Sequence, residues 1–203
     1  MNKPDWNPDH PILEVINKRW SRRSYSEKEV EDDALHRIFE AARWAPSSMN
    51  EQPWTFVWAR KGDEAWQKMH DALMGGNQPW AKNANVMIIC LAKRFFDYKN
   101  RPNRHAMHDL GQAVAFLSLE ATELGLNLHQ MGGFVEDQLR NDFNIGQEWE
   151  VGHIIALGYP DEAEKLEEPY LSREYAPRKR KSQSEFVFKA ELKDQAGDLK
   201  ERI

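Results

Sequence analysis

Apolar positions along the chain follow two periods. Ile12, Leu13, Ile16 and Trp20 recur at the spacing of one helix face, predicting an amphipathic helix over about 11–19 that stops at the polar stretch 21–24. Ser26 followed by Glu29 has the form of a capping box, and Val30, Ala34, Leu35, Ile38 and Ala42 extend it into a second helix ending at Ala45. Residues 46–53 read as a loop, joined directly to a strand in which Trp54, Phe56 and Trp58 alternate with Thr55, Val57 and Ala59. A third helix over 63–74 places Trp66, Met69 and Leu73 on one face, with Gly75 and Gly76 as its terminator.

Residues 86–92 are an unbroken apolar run, short enough to be a buried strand and far too short to cross a bilayer. From 106 to 124 the apolar residues cover more than one helical face, which predicts a central or interfacial helix closed by Gly125. Two more strands are expected over 126–131 and 152–159, with a short helix over 137–143 between them. Phe186, Val187 and Phe188 suggest a last short strand. The order mixes helix and strand, and no internal repeat is visible.

Composition narrows the class. The 203 residues are 40% hydrophobic and 30% charged, which suits one folded domain rather than a disordered chain or a repeat scaffold. That domain is expected to span 1–203, with a core over about 12–188 and a tail over 189–203. Residues 1–10 lack a basic-then-apolar leader pattern, and the single cysteine, Cys90, lies inside the apolar run as an inert core thiol. A soluble, cytoplasmic protein with no membrane partner is expected. The net charge of -5 argues against general binding to nucleic acid.

Dinucleotide-binding and phosphate-loop glycine patterns, zinc-protease histidine pairs and the serine-nucleophile elbow are all missing from the sequence. His105, His108 and Asp109, with His129 further on, offer ligand-type side chains, but solvated or core histidines are the simpler reading and no metal is expected. No acid/base pair stands out. The specific signal is Arg19-x-Ser21-x-Arg23 joined to the distant Arg178-x-Arg180. Guanidinium forks and a hydroxyl match the oxygens of a phosphate.

Pro46-Ser47-Ser48-x-Asn50-x-Gln52-Pro53-Trp54, following that arginine–serine motif and a helix, resembles the signature of the nitroreductase family of flavoproteins. Gly132-Gly133-Phe134, the segment 156–160 and the basic terminal motif extend the resemblance over about 15–187. It implies an α+β nitroreductase-like fold, a central mixed or antiparallel sheet flanked by helices, in an intertwined homodimer with FMN at the subunit interface. It further implies a ping-pong reaction, in which NAD(P)H reduces FMN and a nitroaromatic, quinone or similar flat acceptor takes the electrons.

Carried over by position, Arg19, Trp20, Ser21 and Arg23 match the segment on the FMN phosphate and ribityl chain, with Arg178 and Arg180 closing on the phosphate. Pro46, Ser47, Ser48 and Asn50 match residues that reach the flavin from the other subunit, while Gln130, Met131, Gly132 and Gly133 lie beside its ring and Asn77 contacts it. Phe95, Phe96 and Tyr98 fall in the segment that shapes the substrate pocket. A flavin carries the hydride chemistry, so the resemblance assigns no catalytic side chain. Trp20 departs from the arginine or histidine usual in relatives. Reductive dehalogenation, flavin fragmentation, a flavin carrier or sensor without turnover, and a flavin-free module binding through its basic tail are the alternatives.

Overall fold

The computed structural model describes residues 8–190. The start of the chain and most of the expected tail, 191–203, lie outside the described residues.

Four strands form one sheet: β1 (Trp54–Arg60), β2 (Val86–Lys93), β3 (Asn127–Met131) and β4 (Trp149–Gly158), in the order β1-β2-β4-β3. Every pairing is antiparallel, with Phe56 opposite Cys90, Ile88 opposite Ile155 and Leu128 opposite Leu157. The mixed alternative is thereby corrected to an antiparallel sheet. β2 is an interior strand and is apolar from Val86 to Ala92 because it is covered on both faces. Val86, Ile88, Cys90 and Ala92 enter one core with α2 (Asp32–Arg43) and α5 (Ala106–Glu123). Met87, Ile89 and Leu91 enter the other with α3 (Glu64–Asp71), α4 (Gln78–Ala81) and the inward side of α6 (Glu136–Asp142). Each such buried aliphatic side chain stabilises the fold by roughly 1.5–3 kcal/mol.

Local chemistry moved several boundaries. The first helix, α1, covers only Glu14–Lys18. The second starts at Asp32, and the Ser26 capping box does not form at its end. Instead the Ser26 backbone N–H donates to Tyr159 O at 2.9 Å, while Tyr25 pairs with Pro160. Gly75 and Gly76 do not terminate α3. The helix ends earlier because Leu73 pairs with Phe134, Met74 N–H donates to Gly133 O and Val135 N–H donates to Ala72 O. Phe186, Val187 and Phe188 form no strand; Phe186 and Val187 are exposed after a 3-10 turn at Gln183–Glu185. A short helix, α7 (Tyr170–Tyr175), lies between β4 and the basic terminal motif.

α5 lies against the sheet closely enough that a Cβ on Gly152 would stand 2.8 Å from Leu110 Cδ2 and 3.3 Å from Cys90 O. Among the described residues no helix is long and apolar enough to cross a membrane.

Candidate functional site

The arginine segment begins where α1 ends. Arg19 N–H still donates to Val15 O, and the chain then runs to Tyr25, whose hydroxyl donates to Ala156 O at 3.1 Å on β4. Arg19 Nη1 donates to Ser21 Oγ at 3.3 Å. The distant basic motif returns to this place: Arg178 Nη1 donates to Asn17 O at 2.7 Å, across 161 positions of sequence. Arg178 also sits 5.8 Å from the centre of the Trp20 ring, and Arg22 sits 5.1 Å from the same ring. Trp20 therefore supplies a π face that steadies two cations, a role its departure from the family pattern did not announce.

Arg19, Arg178 and Arg180 act electrostatically as one group. Burial lowers the proton affinity of Arg19, and Arg180 lowers it further. Burial does the same to Arg178, with Arg180 and then Arg19 adding to it. Arg23 turns elsewhere. Its backbone N–H donates to Glu174 Oε2 at 3.3 Å, its Nη1 stands 3.8 Å from the same oxygen, and its guanidinium lies 5.9 Å from the Trp80 ring centre. Glu174 is buried, and desolvation raises its carboxyl against the opposing pull of Arg22 and Arg23. His129 on β3 donates from Nδ1 to Arg22 O at 3.1 Å and packs on Trp80 with ring centres 4.6 Å apart. Desolvation, then Arg23, lowers its imidazole to about 4, so it is neutral near pH 7.

At the end of β3 the Met131 side chain is core, while Gln130 is exposed on the edge strand. Gly133 O accepts from Met74 N–H at 2.9 Å and from Asn77 Nδ2 at 3.4 Å. A Cβ on Gly133 would stand 3.4 Å from that Asn77 nitrogen, whereas the equivalent position on Gly132 is open. The glycine pair thus leaves backbone accessible beside the Asn77 amide.

The second set gathers at the other edge of the sheet, where Pro46 leads from α2 into the loop before β1. Met49, Asn50 and Gln52 all have positive φ. The loop is held by Gln52 N–H donating to Ser47 Oγ at 2.9 Å and Ser48 N–H donating to Asp109 Oδ2 at 3.0 Å. Asp109 is buried and also meets His108 Nδ1 at 3.1 Å. Phe95 pairs with Pro102 and lies outside the adjoining cavity. That cavity, about 470 Å³, is lined by Ser48, Met49, Phe96, Tyr98, Arg101 and His105 together with Pro102 and Arg104.

The two sets do not meet within one chain. β1 and β3 are opposite edges of the sheet, about 14 Å apart at ordinary strand spacing. Asp109 holds the loop at the start of α5, whereas α1 packs on α5 with Lys18 in electrostatic reach of Glu123 at its end. At about 1.5 Å per residue, roughly 20 Å of helix separates them. The sequence motifs did not single out Trp80, Glu174, Arg101 or Arg104, and they pointed to His129 and Asp109 only as candidate metal ligands. The only available signal for His129 was strand alternation, which puts it on the same face as Met131. Among the described residues no group of three or more His, Cys, Asp or Glu side chains is placed to hold a metal ion.

Comparison with known proteins identifies the fold and the family. The sequence model of the Nitroreductase family matches residues 16–79 and 62–159. An Archaeoglobus fulgidus protein named "Putative NADH dehydrogenase/NAD(P)H nitroreductase" is 30% identical over 152 residues, covering 73% of this chain and 84% of its own. A crystal structure described as an oxidoreductase containing FMN superposes with a TM-score of 0.88 at 30% identity, covering 95% of this chain and 98% of its own. An FMN-dependent nitroreductase from Clostridium difficile shares the fold at 24% identity, with a TM-score of 0.66 over 88% of this chain and 98% of its own. With the family model matching residues 16–79 and 62–159, and the fold shared with an FMN-containing oxidoreductase, the chain belongs to the nitroreductase family.

Proposed function

We propose that the protein is an NAD(P)H-dependent oxidoreductase that uses FMN, works as a homodimer, and passes electrons to a nitroaromatic, quinone or similar flat acceptor. The observation that carries this reading is the convergence of Arg19, Arg178 and Arg180, which oppose one another's charge. A phosphate dianion would turn that repulsion into attraction, and guanidinium forks with the Ser21 hydroxyl are the matching donors. When bound, FMN supplies two-electron carriage between NAD(P)H and the acceptor in two successive half-reactions.

The chain's own residues bind and orient. Arg19, Ser21, Arg178 and Arg180 hold the phosphate, with Trp20 steadying Arg178 and Arg23 fixed by Glu174 at the edge of the group. The backbone of Gln130, Met131, Gly132 and Gly133, with the Asn77 amide, lies along the ring. Pro46, Ser47, Ser48 and Asn50 come from the second copy. Phe96 and Tyr98 cover the acceptor, with Phe95 bracing their segment.

Two observations support the dimer. The separation within one chain leaves each half-site incomplete, and α5 turns an apolar strip outward. Gly111 and Ala115 are exposed along it, with Met107 45% and Phe116 41% exposed. A second α5 would cover this strip. The enzyme is one nitroreductase-like domain, and its buried, free Cys90 suits a reducing cytoplasm.

The test is purification and anaerobic turnover. Yellow protein should oxidise NADH or NADPH stoichiometrically with reduction of menadione or nitrofurazone. A colourless preparation that takes up no added FMN would end the proposal.

A further inference from the structure

We propose that the cavity beside the loop before β1 selects acceptors that are flat, aromatic and negatively charged, with Arg101 and Arg104 binding the carboxylate. This rests on the flavin reading above and adds the acceptor's chemical class to it.

Residues 94–103 form a small hairpin. Phe95 pairs with Pro102, Phe96 N–H donates to Arg101 O at 2.8 Å, and Asn103 N–H donates to Arg94 O at 2.7 Å. Its tip is the 3-10 turn Tyr98–Asn100, where Lys99 and Asn100 have positive φ. Residues facing each other across such a pair carry their side chains on the same side. Accordingly, Phe96 and Arg101 line one cavity together with Tyr98 and Arg104. Its volume, about 470 Å³, is that of a site for a small ligand.

Neither Arg101 nor Arg104 meets a carboxylate among the described residues. The acids nearby are already engaged: Asp97 with Lys93, Glu51 with the Asp97 backbone N–H, Glu150 with Arg94, and Asp109 with Ser48 and His108. Arg104 Nε donates to His105 Nε2 at 3.3 Å, which orients the guanidinium fork. Lys99 lies 4.9 Å from the Tyr98 ring centre and adds positive charge beside that wall. Two aromatic walls with two planar cations match an aromatic carboxylate, whose two oxygens accept paired N–H groups.

The test compares 4-nitrobenzoate with 4-nitrobenzyl alcohol, which share ring and nitro group but differ in charge. With the flavin-loaded enzyme, kcat/KM should favour the acid by at least about tenfold. In R101A/R104A that ratio should fall to about one, with R101K/R104K intermediate. Fluorine NMR of 4-(trifluoromethyl)benzoate against its alcohol should show the same preference in binding, and the same loss. A ratio near one in the unaltered enzyme overturns the proposal. So does a rise in KM for NADPH alone, which would assign the arginines to that cofactor's extra phosphate, or release of FMN from the double variant. A colourless protein would instead overturn the flavin reading, and the fluorine measurement would still decide whether the cavity prefers the anion.

Discussion

Replacing His153 with leucine should make the protein less sensitive to acid. His153 lies on β4 opposite Cys90, its Nε2 is sealed from solvent without a hydrogen-bond partner, and burial lowers its imidazole from 6.5 to about 4. The native state holds it neutral, whereas the unfolded chain protonates it at its ordinary value. Stability is therefore fully present above about pH 6.5, falls as the pH drops, and stops falling below about 4, where both states are charged. At about 1.4 kcal/mol per pH unit the whole span is worth about 3 kcal/mol, of which about 2 kcal/mol is lost by about pH 5. His129 adds a loss of similar size in the same window. Urea unfolding at fixed protein concentration, at about pH 7.5 and about pH 5, measures the difference. His153→Leu should recover about 2 kcal/mol of the drop between them, a sizeable share of ordinary domain stability. An unchanged drop would refute the assignment of His153 as a histidine held neutral by burial.

Other perturbations test the two half-sites separately. Asp109→Ala removes the acceptor for Ser48 N–H, and should cost about 1.5–3 kcal/mol in urea unfolding while speeding amide exchange at Ser48. Trp20→Ala removes the ring shared by Arg22 and Arg178 and should weaken FMN binding a few-fold in a fluorescence titration, from about 0.5–1 kcal/mol of lost cation–π attraction. Ala115→Glu places a charge on the outward strip of α5. In sedimentation equilibrium it should shift dimer to monomer, with flavin lost in parallel; a fully dimeric variant would remove α5 from the interface.

The fold was legible where one physical term dominated. β2 could be read from seven consecutive apolar residues because both its faces are buried, and α5 because its apolar positions exceed one face. Elements set by distant partners were not legible. The pairing of Leu73 with Phe134 pulled residues 72–74 out of α3, and Tyr159 took the Ser26 backbone that the capping pattern assigned to a helix. The site divides in the same way. Arg19 and Arg178, from the two basic motifs, lie within electrostatic reach of each other. Arg23, equal to them in the motif, is bound to Glu174, which enters from α7, a segment with no pattern of its own. No motif singled out Arg101 or Arg104; it is the hairpin pairing that sets Arg101 beside Phe96, on one cavity with Arg104.

Recognition of a phosphate by the clustered arginines is tested most directly by comparing flavins with and without that group. Fluorescence titration of flavin-stripped protein should show FMN binding at least about 100-fold more tightly than riboflavin, with the gap narrowing sharply in Arg19→Ala and Arg178→Ala. Equal affinity for the two flavins, or binding of neither, would contradict it.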